Sequence, residues 1–242
     1  MAEYTEQNQE LKSLGLYVGV DLGQAQDYTA VVIVDVVERL FRNRGDGHPP
    51  GQGVDLHTSV DEYHVVHCER LPLGISYEDQ KQRMKNLLER AWKNTKNAHQ
   101  RPALIVDATG VGRPVIDSFQ EDGLSPVAVT VHGGENITQD NGMWRVPKRD
   151  LVAAAKVLLG KKQLKIGKVP YAGVLITELQ NFHVKVNIAT GHDSYEAWRE
   201  GAHDDLVFAL CLACWWALKQ KKKLKGVVPL SIGRIETGER MY

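Results

Sequence analysis

The stretch "YVGVDLGQAQDYTAVVIVD", residues 17 to 35, sets a carboxylate at position 21 inside an otherwise aliphatic strand. A glycine turn and a second β-branched run follow it. Residues 16–22 and 28–37 therefore read as two strands joined through 23–27, which is hairpin spacing. A third strand is predicted at 61–69, "DEYHVVHCE". The segment between the second and third strands, about residues 40–60, is rich in Gly, Pro, His and Arg and reads as an insertion. Met84, Leu87, Leu88 and Ala91 recur at helical spacing within 78–95. "ALIVDAT" at 103–109 is continuously apolar until Asp107, as a central parallel strand is. A helix at 112–121, a strand at 126–132, a helix from Pro147 to about 160 and another near 171–182 continue the alternation. Three antiparallel strands followed by β-α units predict an α/β protein: a mixed central sheet with helices on both faces. The division expected along the chain is an extension at 1–15, one domain at 16–225 and a loosely held tail at 226–242.

The 242 residues carry 30 Lys and Arg against 30 Asp and Glu, so a polyanionic partner would have to be held by local cations rather than by a global field. Cys68, Cys211 and Cys214 lack zinc-type spacing and read as reduced core residues. The N-terminus "MAEYTEQNQELKSLG" has no basic segment followed by an apolar one, so no export or import signal is expected there. The longest apolar run, Leu206 to Leu218, falls short of the ~20 residues that span a bilayer. A cytoplasmic location, with no membrane association, is expected.

Asp21 and Asp107 each close an aliphatic strand and are followed by small or flexible residues. In open α/β sheets, ligand sites gather at the carboxyl ends of strands. If those two strands are neighbours, both acids emerge at one edge, and two facing carboxylates in a half-buried site demand a counter-charge. No Lys or Arg is adjacent to either in sequence. A hard divalent cation with oxygen ligands meets the demand. "GAHDDLVFALCLACWWALK" supplies further acids: the helix is apolar all round from Leu206, so Asp204 and Asp205 sit at its solvent-reachable start, where a helix dipole favours negative charge. N-capping explains one of them; the second is unexplained by it.

Taken in order, "YVGVDLGQAQDYTAVVIVD", "ALIVDATGVGRPVID", "VPKRDLVAAAKVLLGKKQLKI" and "REGAHDDLVFALCLACW" resemble the nuclease domain of the large terminase subunit of tailed bacteriophages, a member of the RNase H-like, or retroviral-integrase-like, superfamily. The resemblance spans about residues 16 to 218. It implies a metal-dependent endonuclease that cuts concatemeric double-stranded viral DNA during genome packaging, in the host cytoplasm. By position, Asp21, Asp107, Asp204 and Asp205 match the family's catalytic and metal-binding acids, which implies a pair of Mg2+ or Mn2+ ions and a bridging role for Asp21. The packaging ATPase, the portal and the small terminase subunit are the implied protein partners. This chain contains no G-x-x-x-x-G-K-[ST] phosphate loop.

Weaker signals surround these acids. Lys148 and Arg149 open a helix and could face a DNA phosphate, as could Lys221, Lys222 and Lys223 in "KQKKKLK", although both segments suit a solvated helix end equally. His203 and Asp27 are candidate neighbours of the acids. Consecutive helical residues point about 100° apart, and side chains lean toward the N-terminus, which favours Asp204 over Asp205 as the direct ligand. Two other function classes fit parts of the pattern. "VGVDLG" and "VDATGVG" also look like the phosphate loops of actin-like/Hsp70-type ATPases, which need two such domains and give "HDD" no role. A non-catalytic DNA-binding or assembly module would have no reason to keep acids at all three places.

Overall fold

The computed structural model describes residues 9–23, 27–43, 56–94, 101–110, 112–186, 193–197 and 204–225. Strand β1 (Gln9–Asp21) pairs antiparallel with β2 (Ala30–Asn43), and β2 pairs antiparallel with β3 (Leu56–Arg70). Helix α1 (Tyr77–Asn94) leads to β4 (Ala103–Asp107), which lies parallel beside β1. Helix α2 (Gly112–Glu121) then leads to β5 (Val127–His132), parallel to β4. The hairpin of β6 (Thr138–Asp140) and β7 (Met143–Pro147) adds to the β5 edge and feeds helix α3 (Lys148–Gly160). Strand β8 (Leu164–Ile166) joins the opposite edge, beside β3. Helix α4 (Ala172–Asn181), the separate pair β9 (Phe182–Val186) and β10 (Asp193–Ala197), and helix α5 (Asp205–Lys225) follow. The main sheet runs β6-β7-β5-β4-β1-β2-β3-β8. It is the expected mixed sheet of antiparallel and parallel strands, with helices on both faces.

Strand alternation divides the core in two. Tyr17, Ala30, Val32, Val34, Ile105 and Val129 pack with α3, α4 and α5 on one face. Val18, Val20, Val31, Ile33, Leu104 and Val106 pack with Met84 and Leu87 of α1 and Ile116 and Phe119 of α2 on the other. Asp21 lies two and four residues beyond Gly19 and Tyr17, and Asp107 lies two beyond Ile105. Both acids therefore belong to the α5 face. All three cysteines are free and buried, as expected. Among the described residues no helix is long and apolar enough to cross a membrane.

The hairpin strands run further than their β-branched centres predict. The β2–β3 ladder continues through Phe41–Thr58, Arg42–His57 and Asn43–Leu56, inside the segment read as an insertion, because main-chain pairing needs no β-branched side chain. The short strands β6, β7 and β8 escaped the sequence reading, since three to five residues are too few to display a period. One signal was present: Asn141 and Gly142, with φ of 48° and 80°, form the two-residue turn that joins β6 to β7.

Close approach of α5 to β1 sets the geometry of the α5 face. A Cβ at Gly19 would lie 1.9 Å from the Ala209 carbonyl oxygen and 3.0 Å from the Ala213 amide nitrogen. Both obstacles are helix backbone and cannot rotate away, so only glycine fits. Gly19→Ala should cost at least ~2 kcal/mol of stability by overpacking, read as a lower urea midpoint; a midpoint matching the parent would mean that α5 stands further from the sheet.

On the opposite face, Arg83 of α1 donates from Nε to Glu69 Oε1 at 2.6 Å, and His67 Nε2 lies 3.0 Å from Glu69 Oε2. Burial alone would raise the Glu69 carboxyl, but its hydrogen bonds to His67 and Arg83 outweigh burial and bring it down from 4.5 to about 2. A depressed carboxylate contributes stability that is present above its unfolded pKa and is lost as pH falls toward its folded one. Unfolding free energy should therefore decline between about pH 4.5 and pH 2, and Glu69→Gln should flatten that part of the curve.

Candidate active site

Asp21 lies within electrostatic reach of three other carboxylates, Asp107, Asp204 and Asp205, where β1 and β4 end near the first turn of α5. Asp204 caps the helix, its carbonyl accepting from Phe208 N at 2.9 Å, and Asp205 occupies the first turn, where the exposed amide dipoles favour negative charge. Asp107 and Asp205 are each only 8% exposed, while Asp21 is half-buried. Burial drives the Asp21 carboxyl well above the ordinary carboxylate range, and repulsion from Asp107, Asp205 and Asp204, in that order, adds to it. Asp107 is raised by burial too. Its Oδ1 accepts from the Thr109 amide at 2.8 Å, which favours the charged form and partly offsets the rise.

The sequence shows no cation beside these acids, but the fold delivers two. Lys148 opens α3, and its Nζ lies 5.4 Å from the centre of the Phe208 ring, over the first turn of α5. Its charge lowers both Asp21 and Asp107. Arg70 ends β3 and reaches the same helix start from the other flank. One of its atoms, Nη2, is 2.6 Å from Glu178 Oε1 and 3.3 Å from Asp205 Oδ2, and the guanidinium lies 5.0 Å over the Tyr28 ring.

Arg70 and Glu178 were missed by sequence reasoning. Their signals were faint: Arg70 closes a strand as Asp21 and Asp107 do, and Glu178 is the acid of the mostly apolar helix "AGVLITELQN". Glu178 Oε2 accepts from Val207 N at 3.1 Å, so this side chain receives an amide at the start of α5. Burial pushes the Glu178 carboxyl up to about 7; the Val207 amide and Arg70 oppose the rise and Asp205 adds to it.

The other sequence candidates are not shown to reach the acids. Asp27 is exposed and is not among the groups acting on Asp21. Arg149 is exposed and donates to the Glu135 carbonyl at 3.0 Å. Lys221 pairs with Asp61 at the far end of the sheet, roughly 24 Å of helix rise from Asp205. His203 and the side chains of Lys222 and Lys223 lie outside the described residues.

No family model matches the chain, and no curated protein matches it. Among solved structures it is similar to the nuclease domain of the human cytomegalovirus terminase, determined after soaking with Mn. The two share 13% identity with a TM-score of 0.48, over 85% of this chain and 83% of that one.

The acids are all oxygen donors, the chemistry that hard divalent cations select. Among the described residues no three His, Cys, Asp or Glu side chains are grouped to hold an ion as they stand, so the match is one of charge and donor type. Uncompensated repulsion should make this corner a liability in the metal-free protein. Asp21→Asn, which removes one of the mutually repelling charges, should raise stability in EDTA by ~1 kcal/mol or more, read as a higher urea midpoint; an unchanged midpoint would mean that Lys148 already neutralises the cluster.

Proposed function

We propose that the chain is a divalent-metal-dependent endonuclease that hydrolyses phosphodiesters of double-stranded DNA, of the kind terminase nuclease domains supply. One observation carries the reading: Asp21, Asp107 and the Asp204/Asp205 pair come from two strand ends and one helix start to a common corner, where three of them raise the carboxyl of the fourth. Helix capping and the helix dipole account for Asp204 and Asp205 but not for Asp21 and Asp107 beside them. Asp21, Asp107 and one or both of Asp204 and Asp205 would hold Mg2+ or Mn2+, two ions in the fullest form of the proposal. When bound, such ions supply the missing positive charge and acidify the attacking water.

The protein's own contribution is positional. Thr109 fixes the Asp107 carboxylate, and the rigid end of the sheet holds Asp21 beside it. Lys148 stands over the first turn of α5, where its ammonium can meet a phosphate oxygen once the acids have another counter-charge. Exposed Arg149 extends the positive rim and can hold the flanking backbone of the duplex. Such contacts address phosphates rather than base edges, so binding should be sequence-tolerant and should weaken as salt rises. Cutting concatemeric viral DNA, in company with a packaging ATPase and a portal or small subunit, is the specific role that the sequence motifs favour.

A plasmid-nicking assay tests the proposal. Wild-type protein should nick with Mg2+ or Mn2+ and be silent in EDTA, and Asp107→Asn should abolish nicking while leaving the circular dichroism spectrum unchanged. Lys148→Ala should lower the rate about 100- to 1,000-fold, as loss of one transition-state-stabilising donor does. Metal-independent cutting, or full activity in Asp107→Asn, would overturn the assignment.

A further inference from the structure

Arg70 reaches the acidic corner because β3 is irregular. The β2–β3 ladder pairs Ile33 with His67 but Val34 with Val65, so Val66 is an extra residue in β3. An inserted residue shifts every later side chain to the other face of the sheet. Val65 and Cys68 accordingly both belong to the α5 face, three residues apart instead of two. Arg70, two residues beyond Cys68, follows it there; in an unbroken alternation running from Val65 through Val66 its side chain would face α1.

Three elements then close on the guanidinium. Glu178 of α4, Asp205 of α5 and Tyr28 of the turn between β1 and β2 surround the end of β3. Glu178 holds both the arginine, at 2.6 Å, and the backbone of α5, through Val207 N at 3.1 Å. Its two oxygens therefore tie the strand end to the helix start. Arg70 completes the triangle by touching the acid that the helix presents.

We propose that Arg70, locked by Glu178, is a positioning residue for the acidic site: it holds the first turn of α5, and with it Asp205, beside the ends of β1 and β4. The proposal rests on the nuclease reading. It differs from simple helix capping in one respect. Capping requires only that α5 be stable, whereas positioning requires this charge, in this geometry, beside Asp205.

The test separates folding from function by comparing wild type, Arg70→Met, Arg70→Lys, Glu178→Gln and the paired change Arg70→Met with Glu178→Met. Removing Arg70 alone would strand two buried acids, Glu178 and Asp205, whereas the paired change removes one of them and leaves Asp205 and the Val207 amide without these partners. Each protein is measured for urea midpoint, for Mn2+ binding by the paramagnetic resonance signal of free Mn2+, and for plasmid nicking. The paired variant should unfold at a lower midpoint than wild type but a higher one than Arg70→Met alone, and while still folded should bind Mn2+ ~10- to 100-fold more weakly, the usual consequence of losing a group that orients a ligand. Arg70→Lys should recover part of that affinity, and Glu178→Gln should lose affinity without losing the fold. Wild-type Mn2+ affinity and nicking in the paired variant, or in Glu178→Gln should the paired variant not fold, would reduce Arg70 to a structural role and overturn the proposal while leaving the nuclease reading intact. A wild-type protein that neither binds Mn2+ nor nicks would overturn both.

Discussion

The close contact of α5 on β1 at Gly19 is the constraint on which the site depends. Ala209 and Ala213 sit one helical turn apart over a residue with no side chain, so the helix axis lies nearer the sheet than any other residue would permit. That approach brings the start of α5 down to the level of the strand ends. Asp21 lies two residues past Gly19 on the same face, so the packing that buries the helix also brings its acids toward the β1 carboxylate. Stability and site geometry are thus coupled through one glycine. The apolar length of α5, buried from Leu206 through Trp215, supplies the hydrophobic drive that keeps the contact closed.

Against that drive stands electrostatic repulsion. A corner with Asp21, Asp107, Asp204, Asp205 and Glu178 holds more negative charge than Lys148 and Arg70 balance, and burial weakens the screening that water would give. The two cations are placed differently. Arg70 is enclosed by Glu178, Asp205 and Tyr28 and joins secondary-structure elements, whereas Lys148 reaches Asp21 and Asp107 through space from the start of α3. A cation built into the scaffold and another beside the paired strand ends suit the proposed nuclease, whose site would have to stay assembled yet accept a polyanion. The positive end of the α5 dipole favours the acids from a third direction.

Much of this was legible in the chain itself. Alternation of β-branched residues in 17–37, the unbroken apolar run before Asp107 and the all-apolar helix after Asp205 determine a mixed sheet with a buried final helix, because hydrophobic periodicity is local and strong. Asp21, Asp107, Asp204 and Asp205 stood out for the same reason: each interrupts or borders a segment that otherwise buries itself. Even the shared face of Asp21 and Asp107 follows from strand parity once β1 and β4 are known to be neighbours.

What only the tertiary structure decided is the company those acids keep. That β1 and β4 lie side by side is a property of strand order, and main-chain hydrogen bonding carries no side-chain signature that would announce it. Arg70 faces the site because β3 bulges at Val66 instead of alternating through it, an irregularity in pairing that appears only when two strands are set against each other. Glu178 is one acid in a mostly apolar helix, and only folding placed it under the amide of Val207. Lys148 was a helix start with no assigned direction until α3 packed beside α5. Sequence determined which residues are buried and which carry charge, since both are set by the residue's own chemistry; the fold decided which charges meet, since that depends on contacts between segments far apart along the chain.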